Sequence, residues 1–237
     1  MFPVLKTTLM KKLVPFLLIT GIILSASCSR KNYAYSYFDQ QTANHKIIAV
    51  LPSEIIFTGK QPKDWTKEMI DSIEIEESKA FQMSLYSNIL QYANSNRYYM
   101  FVGVQDVNKT LSTLEENQIP IRTSWRMDDK KLASLLGVDA VVRMQITQKR
   151  YMSDYVSYGV AVARDILNET PLHRRIPIPS GFNKTEDISA YCSVISENVT
   201  LWNNNYKSSA DWSNPSNIII ENITDNFGRN FPYKRRR

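Results

Sequence analysis

The stretch Val138 to Arg150 places the tightest constraint on how this chain can fold. Val142, Met144 and Ile146 alternate there with Arg143 and Gln145. A period of two sends apolar side chains to one face of a strand and polar ones to the other. The stretch therefore predicts a long strand that must bury its apolar face, and the sequence supplies covers for it. Ile73 to Ser95 carries Phe81, Leu85, Ile89 and Tyr92 or Ala93 at helical spacing, one apolar stripe. Glu74, Glu76 and Glu77 crowd its first turns, where a solvated start and the helix dipole favour acids. Asp106 is placed to cap a helix through Asn117, with Val107, Leu111 and Leu114 on one face. Asp128 is placed to cap another through Leu136, and Gly137 stands where a helix commonly stops.

Further strands read from short β-branched or alternating runs. His45 to Leu51 (HKIIAVL) is one, closed by Pro52, and Tyr98 to Val104 (YYMFVGV) is another. Residues 53–72, with Gly59 and Pro62, read as a loop. Ile188 to Ser196 and Asn198 to Ser208 form a predicted hairpin turning near Glu197 and Asn198. Ser213 or Asn214 caps a last helix, with Pro215 early, Ile219, Ile223 and Phe227 as its stripe and Gly228 at its end. Residues 151–187 read as an insertion, with a short helix from Tyr155 to Leu167. The order predicts an α/β fold: a single domain over 45–231, with a mixed β-sheet of about five strands, a late antiparallel hairpin and flanking helices. Leu136, Val142 and Phe81 are its expected core residues.

The first 27 residues read as a signal peptide. Lys6, Lys11 and Lys12 precede an apolar run from Leu13 to Leu24, which is short for a membrane span. Leu24-Ser25-Ala26-Ser27-Cys28 follows and resembles the lipobox of bacterial lipoproteins. That resemblance implies acylation of Cys28, membrane attachment through the lipid and, with Ser29 rather than Asp next, an outer-membrane address. The same small residues also fit ordinary secretory cleavage before Cys28. Residues 28–44 read as a tether, or as an edge strand through the alternating Tyr33, Tyr35 and Tyr37.

The leader also changes the charge arithmetic. The formal charge of +6 falls to +3 without residues 1–27, and Lys234, Arg235, Arg236 and Arg237 carry four positive charges at the end. The remaining body is near neutral, so no basic face points to nucleic acid. Residues 232–237 read as an unpacked basic tail, with contact to phospholipid headgroups or an acidic envelope polymer as its functional reading. No phosphate loop, zinc-protease or nucleophile-elbow motif occurs, and neither a cofactor nor a metal is expected. Asp128-Asp129 reads as a helix cap rather than a ligand pair. His45 and His173 have no motif partner, and Cys192 reads as a small buried strand residue. Trp202 and Trp212 are expected in packing roles. Trp65 and Trp125, in predicted loops, are the aromatics expected on a partner surface.

The series KIIAVLP, YYMFVGVQDVNKTL, KLASLLGVDAVVRMQI and SVISENVTLW resembles a family of bacterial envelope lipoproteins that includes CsgG, LpoB and PelC. The resemblance implies a non-enzymatic envelope lipoprotein. Its role would be in assembly, in a secretion apparatus or in cell-wall synthesis, through contacts with envelope proteins or further copies of itself. The alternative reading is a periplasm-facing lipoprotein that binds a small ligand or glycan, using the 151–187 insertion.

Overall fold

A computed structural model describes residues 32–34, 36–61, 63, 65–93, 95–151, 184–211 and 213–236. The leader, Cys28, the predicted helix at 155–167, Trp212 and Arg237 lie outside the described residues. The architecture is α/β, a single domain built on a mixed sheet, as the sequence predicts.

Strand β6 (Ala140–Arg150) holds the sheet together. On one side it pairs antiparallel with β7 (Lys184–Ser196), which pairs with β8 (Val199–Asp211). On its other side it pairs in parallel first with β2 (Ile47–Val50) and then with β3 (Glu54–Gly59). Val50 faces Val142 and Glu54 faces Gln145, so three residues of the outer strand oppose two of β6, a bulge at Pro52. Short β1 (Asn32–Ala34) adds to β8, and β5 (Gly103–Val104) adds to β2. The sheet thus has seven strands among the described residues. Strand β3 lies within the predicted loop. Its run Ile55-Ile56-Phe57-Thr58, bracketed by Pro52 and Gly59, is a β-branched strand signal that the loop reading misses, and it pairs with β6.

Two helical covers give two cores. Helices α2 (Lys67–Ala93) and α6 (Ser216–Arg229) cover one face. Phe81, Leu85 and Ile89 of α2 and Ile223 and Phe227 of α6 meet Val142, Met144, Ile146, Cys192, Val194 and Trp202 there. Helices α3 (Val107–Glu116) and α5 (Asp129–Leu136) cover only one end of the opposite face, where Leu114, Leu132 and Leu136 pack on Ala49, Leu51 and Val141. The caps fall where the sequence puts them. The Asp106 carboxylate accepts from the Asn108 and Lys109 amides, Asp128 accepts from Lys131, and Gly137 is left-handed at φ 68°. Asp139, from the Gly-Val-Asp run, accepts the amides of Lys46 and Ile47 at 2.7 and 2.9 Å and ties the start of β2 to β6.

Several expectations are corrected. Helix α2 begins at Lys67, so its glutamates are not a solvated start. Glu74 pairs with Arg122, and Glu77 is turned toward β6, where Gln148 Nε2 donates to it at 2.6 Å. The run from Tyr98 splits into β4 (Tyr98–Met100) and β5, which belong to different sheets. A four-residue helix, α4 (Ile121–Ser124), lies between α3 and α5. Pro215, not Ser213 or Asn214, holds the N-cap position of α6. That helix also runs past Gly228 to Arg229. Gly228 serves close approach instead, since a Cβ there would sit 2.9 Å from Asn88. The seam beside it is polar and buried: Asn88 Nδ2 donates to Thr224 Oγ1 at 3.1 Å.

Residues 32–34 form the edge strand β1, the second of the two readings of residues 28–44, and Phe38 of α1 (Phe38–Gln41) is buried, so these residues are not a free tether. The basic end is packed as well. Tyr233 is fully buried among Phe38, Phe101 and Phe231, and it shares a 2.7 Å hydrogen bond with His45 Nδ1. Strand β9 (Lys234–Arg236) then pairs antiparallel with β4. The four charges suggest solvent, but burial of the adjacent tyrosine draws the segment onto the domain.

Two substitutions test this packing. Gly228→Ala normally favours a helix by about 1 kcal/mol. Here it is expected to cost about 1–3 kcal/mol in urea unfolding, because the seam has no room; a gain would contradict the close α2–α6 contact. Burial pushes the Glu77 carboxyl up to about 7, with Glu186 and Glu74 acting in the same direction and Gln148 and Arg150 opposing. An unfolded Glu ionises near about 4.3. Across that window the unfolded chain releases a proton that the folded chain keeps, so stability falls as pH rises and levels off above about 7. Glu77→Gln is expected to add about 1–2 kcal/mol near pH 8 and almost nothing near pH 4. An equal effect at both pH values would contradict it.

Candidate functional site

Beyond the edge of α5, the second face of β6, β7 and β8 is lined by polar side chains. Alternation and register put four rows across it: Arg143–Ser193–Asn203, Gln145–Tyr191–Asn205, Thr147–Ser189–Lys207 and Lys149–Asp187–Ser209. Gln145, Lys149, Ser189, Asn205, Lys207 and Ser209 are exposed. The intervening residues of the same strands, among them Ile146, Cys192 and Val194, are the core beneath. One strand pattern therefore makes both the core and the polar face.

Three hollows run along this face. The first, about 220 Å³, is bordered by Pro52, Glu54, Trp125, Gln145, Tyr191 and Ser193. The second, about 400 Å³, lies on Gln145, Thr147, Ser189, Tyr191, Asn205 and Lys207. The third, about 300 Å³, takes in Thr58, Thr147, Lys149, Tyr151, Ser189 and Lys207. Neighbouring hollows share residues, so they form one trough along the strands.

Arg143 builds the head of the trough. Its Nη1 donates to the carbonyls of Ser124 and Trp125 at 3.1 and 3.0 Å, its Nη2 donates to Met127 at 2.7 Å, and its Nε pairs with Asp129. One guanidinium thus holds the connection between α4 and α5 and sets Trp125 over the sheet, with Arg122 against the indole face at 5.9 Å. Glu54 is oriented by Gln145 Nε2 at 2.6 Å and by Arg126 at 3.1 Å. At the far end Tyr151 Oη donates to Asp187 at 2.6 Å. The Tyr191 phenol is raised above its ordinary range, first by burial, with a bond to Asn203 opposing. The arrangement offers hydroxyls, amides, three aromatic rings (Trp125, Tyr191 and Tyr151) and few net charges.

The residues expected on a partner surface are not brought together. Trp125 stands at the head of the trough. Trp65 is half-buried on the helix-covered side, edge-on to Phe57 and under Arg150. Lys234, Arg235 and Arg236 lie in the separate β4–β9 ribbon. Cys192 is buried, and burial pushes its thiol far up, away from nucleophilic use. Among the described residues no group of three His, Cys, Asp or Glu side chains could hold a metal ion, and no helix is long and apolar enough to cross a membrane. Sequence reasoning missed the rest of the trough, although its signal was present: Ser189, Tyr191 and Ser193 alternate with Ile188, Ala190, Cys192 and Val194.

The fold and this face define an α/β domain whose sheet is covered by helices on one side and largely polar on the other. No protein-family model matches the chain, and no curated protein matches it. Solved structures similar to it include bacterial lipoproteins. Lipoprotein GNA1162 from Neisseria meningitidis is 14% identical, with a TM-score of 0.38 over 76% of this chain and 94% of that one. A PelC dodecamer from Paraburkholderia phytofirmans is 5% identical, with a TM-score of 0.37 over 84% and 92%. The LpoB C-terminal domain from Salmonella enterica is 7% identical, with a TM-score of 0.30 over 70% and 83%. Likeness at these scores carries no argument about what the chain does.

Arg143→Ala removes four bonds and leaves the Asp129 carboxylate without its partner. It is expected to cost about 2–4 kcal/mol and to change the environment of Trp125 in fluorescence. A cost below about 0.5 kcal/mol would show that the connection holds its position without the guanidinium.

Proposed function

We propose that this chain is a non-enzymatic bacterial envelope lipoprotein, attached through an acylated Cys28, that serves as an accessory or assembly factor. Its domain faces the periplasm from the outer membrane and docks on a protein partner, or on further copies of itself, through the β6–β7–β8 face. The observation that carries this reading is the continuous trough, headed by Trp125 and lined by hydroxyl and amide groups. Such a surface combines an aromatic anchor with adaptable hydrogen-bonding groups, as interfaces do. The leader and the lipobox-like residues before Cys28 support the anchor. Asn32 already belongs to the sheet, and the four residues from Cys28 to it span at most about 14 Å. An acylated chain would therefore hold its domain close to the membrane.

A second reading has its own observation. The 220 Å³ hollow sets Trp125 and Tyr191 beside Gln145 and Ser193, a grouping of rings, amide and hydroxyl that suits a sugar. Mass measurement of the chain extracted from envelopes in mild detergent separates the two. The assembly reading expects a discrete complex heavier than one chain, lost in Ser189→Arg/Asn205→Arg. A single chain carrying bound sugar supports the glycan reading, and a bare single chain contradicts both. For the anchor, Cys28→Ala is expected to move the protein out of the membrane pellet on fractionation; retention there would contradict acylation.

A further inference from the structure

The packed C-terminal end forms a second surface, distinct from the trough. Strands β4 and β9 make a two-stranded ribbon in which Tyr98 faces Arg236, Tyr99 faces Arg235 and Met100 faces Lys234. Tyr98 and Tyr99 are 39% and 43% exposed, high values for two adjacent large rings. Arg97 and Arg236 are exposed beside them. The other cations are fixed by the fold. Lys234 Nζ donates to the Gly228 carbonyl at 2.9 Å and lies over the rings of Tyr92 and Tyr98. Arg235 stacks on Phe101 at 4.6 Å and pairs with Asp39, and Arg229 pairs with Asp225. Five cations thus face two carboxylates; of the three without one, Lys234 is taken up by carbonyls and rings, and Arg97 and Arg236 are exposed at the outer end of the ribbon.

We propose that the outer end of the β4–β9 ribbon is a membrane-contact element that binds anionic phospholipid headgroups through Arg97 and Arg236, with Tyr98 on one face of the ribbon and Tyr99 on the other entering the interfacial layer. The charge excess fits a negative surface. The tyrosines favour a bilayer over a soluble polyanion, because an amphipathic ring settles at the boundary between headgroups and hydrocarbon. A polymer of carboxylates or sulfates needs only the charges. The ribbon is also already ordered on the domain: Tyr233, just before β9, is fully buried and β9 pairs with β4, so less ordering of a loose tail opposes binding. The proposal does not require the lipid anchor and stands apart from the partner face.

The test uses the full chain with Cys28→Ser, sedimented with phosphatidylcholine vesicles with and without phosphatidylglycerol, at low and high salt. Binding is expected to favour the anionic vesicles at low salt. Arg97→Gln/Arg236→Gln is expected to weaken it about tenfold or more, and high salt is expected to erase that difference. Tyr98→Ser/Tyr99→Ser is expected to weaken binding at both salt levels. Tyr98 also carries Lys234 over its ring, so unchanged thermal unfolding of each variant serves as its control for folding, and Tyr99→Ser alone, which leaves that contact in place, is expected to weaken binding as well. Equal binding by the parent chain and Arg97→Gln/Arg236→Gln at low salt would overturn the proposal. So would full binding by Tyr98→Ser/Tyr99→Ser together with equal capture of soluble polyglutamate, which would assign the ribbon to an acidic polymer.

Discussion

Strand β6 is buried on two sides at its beginning and then on one side as far as Ile146, and the other features of the molecule follow from that change. Val141 and Val142 are both fully buried, the first under α5 and the second under α2 and α6. From Arg143 to Ile146 polar and apolar residues alternate, and from Thr147 on every residue is polar. A strand enclosed on both faces needs apolar residues throughout, whereas a strand with one wet face alternates. The crossover comes at Arg143, and that side chain closes the covered end by gripping the connection between α4 and α5. The polar trough begins where the second cover stops.

The same economy governs polar groups elsewhere. The bulge at Pro52 interrupts the parallel pairing along β6, and Gln82 Nε2 donates to the buried Val50 carbonyl beside it at 2.8 Å. Gln105 Nε2 does the same for the last carbonyl of α5, that of Leu136, at 2.9 Å. The hairpin turn has Glu197 and Asn198 at φ 51° and 63°, the conformation of a tight type I′ turn without glycine. Asn198 offsets the strain by bonding to Asp128 and to the Lys130 amide, so the turn is fastened to the start of α5. Glu77 is the exception, a carboxyl held where burial disfavours its charge.

Features set by local chemistry were legible in the sequence. The alternation in Val138 to Arg150, the Asp106 and Asp128 caps, the Gly137 stop and the hairpin position all depend on near neighbours. The α/β class with a mixed sheet follows from their order. Features set by distant partners were not legible. Strand β3 has a local signal in Ile55-Ile56-Phe57-Thr58, but its place beside β6 depends on the bulge at Pro52, and Gly228 is a contact residue because Asn88 lies across from it. The basic end folds down because Phe38, Phe101 and Phe231 surround Tyr233. For the candidate site, the polar alternation was visible, but its pairing into one trough with Trp125 at its head depends on register across three strands. Trp65 and Trp125 looked alike as loop aromatics and lie on opposite sides of the sheet.

The central claim is that the β6–β7–β8 sheet is closed on one face and open on the other. Cys192 and Asn204 point into the closed side, and Asn205, the next residue along β8, points to the open one. Thiol reactivity reads this directly in a full chain with Cys28→Ser, comparing native Cys192 with an added Asn205→Cys under folding conditions. The expected result is rapid modification at position 205 and none at Cys192 until the protein is unfolded. Protection at both positions would mean that the polar face is covered too, and reactivity at Cys192 would mean that the helices do not close the other side.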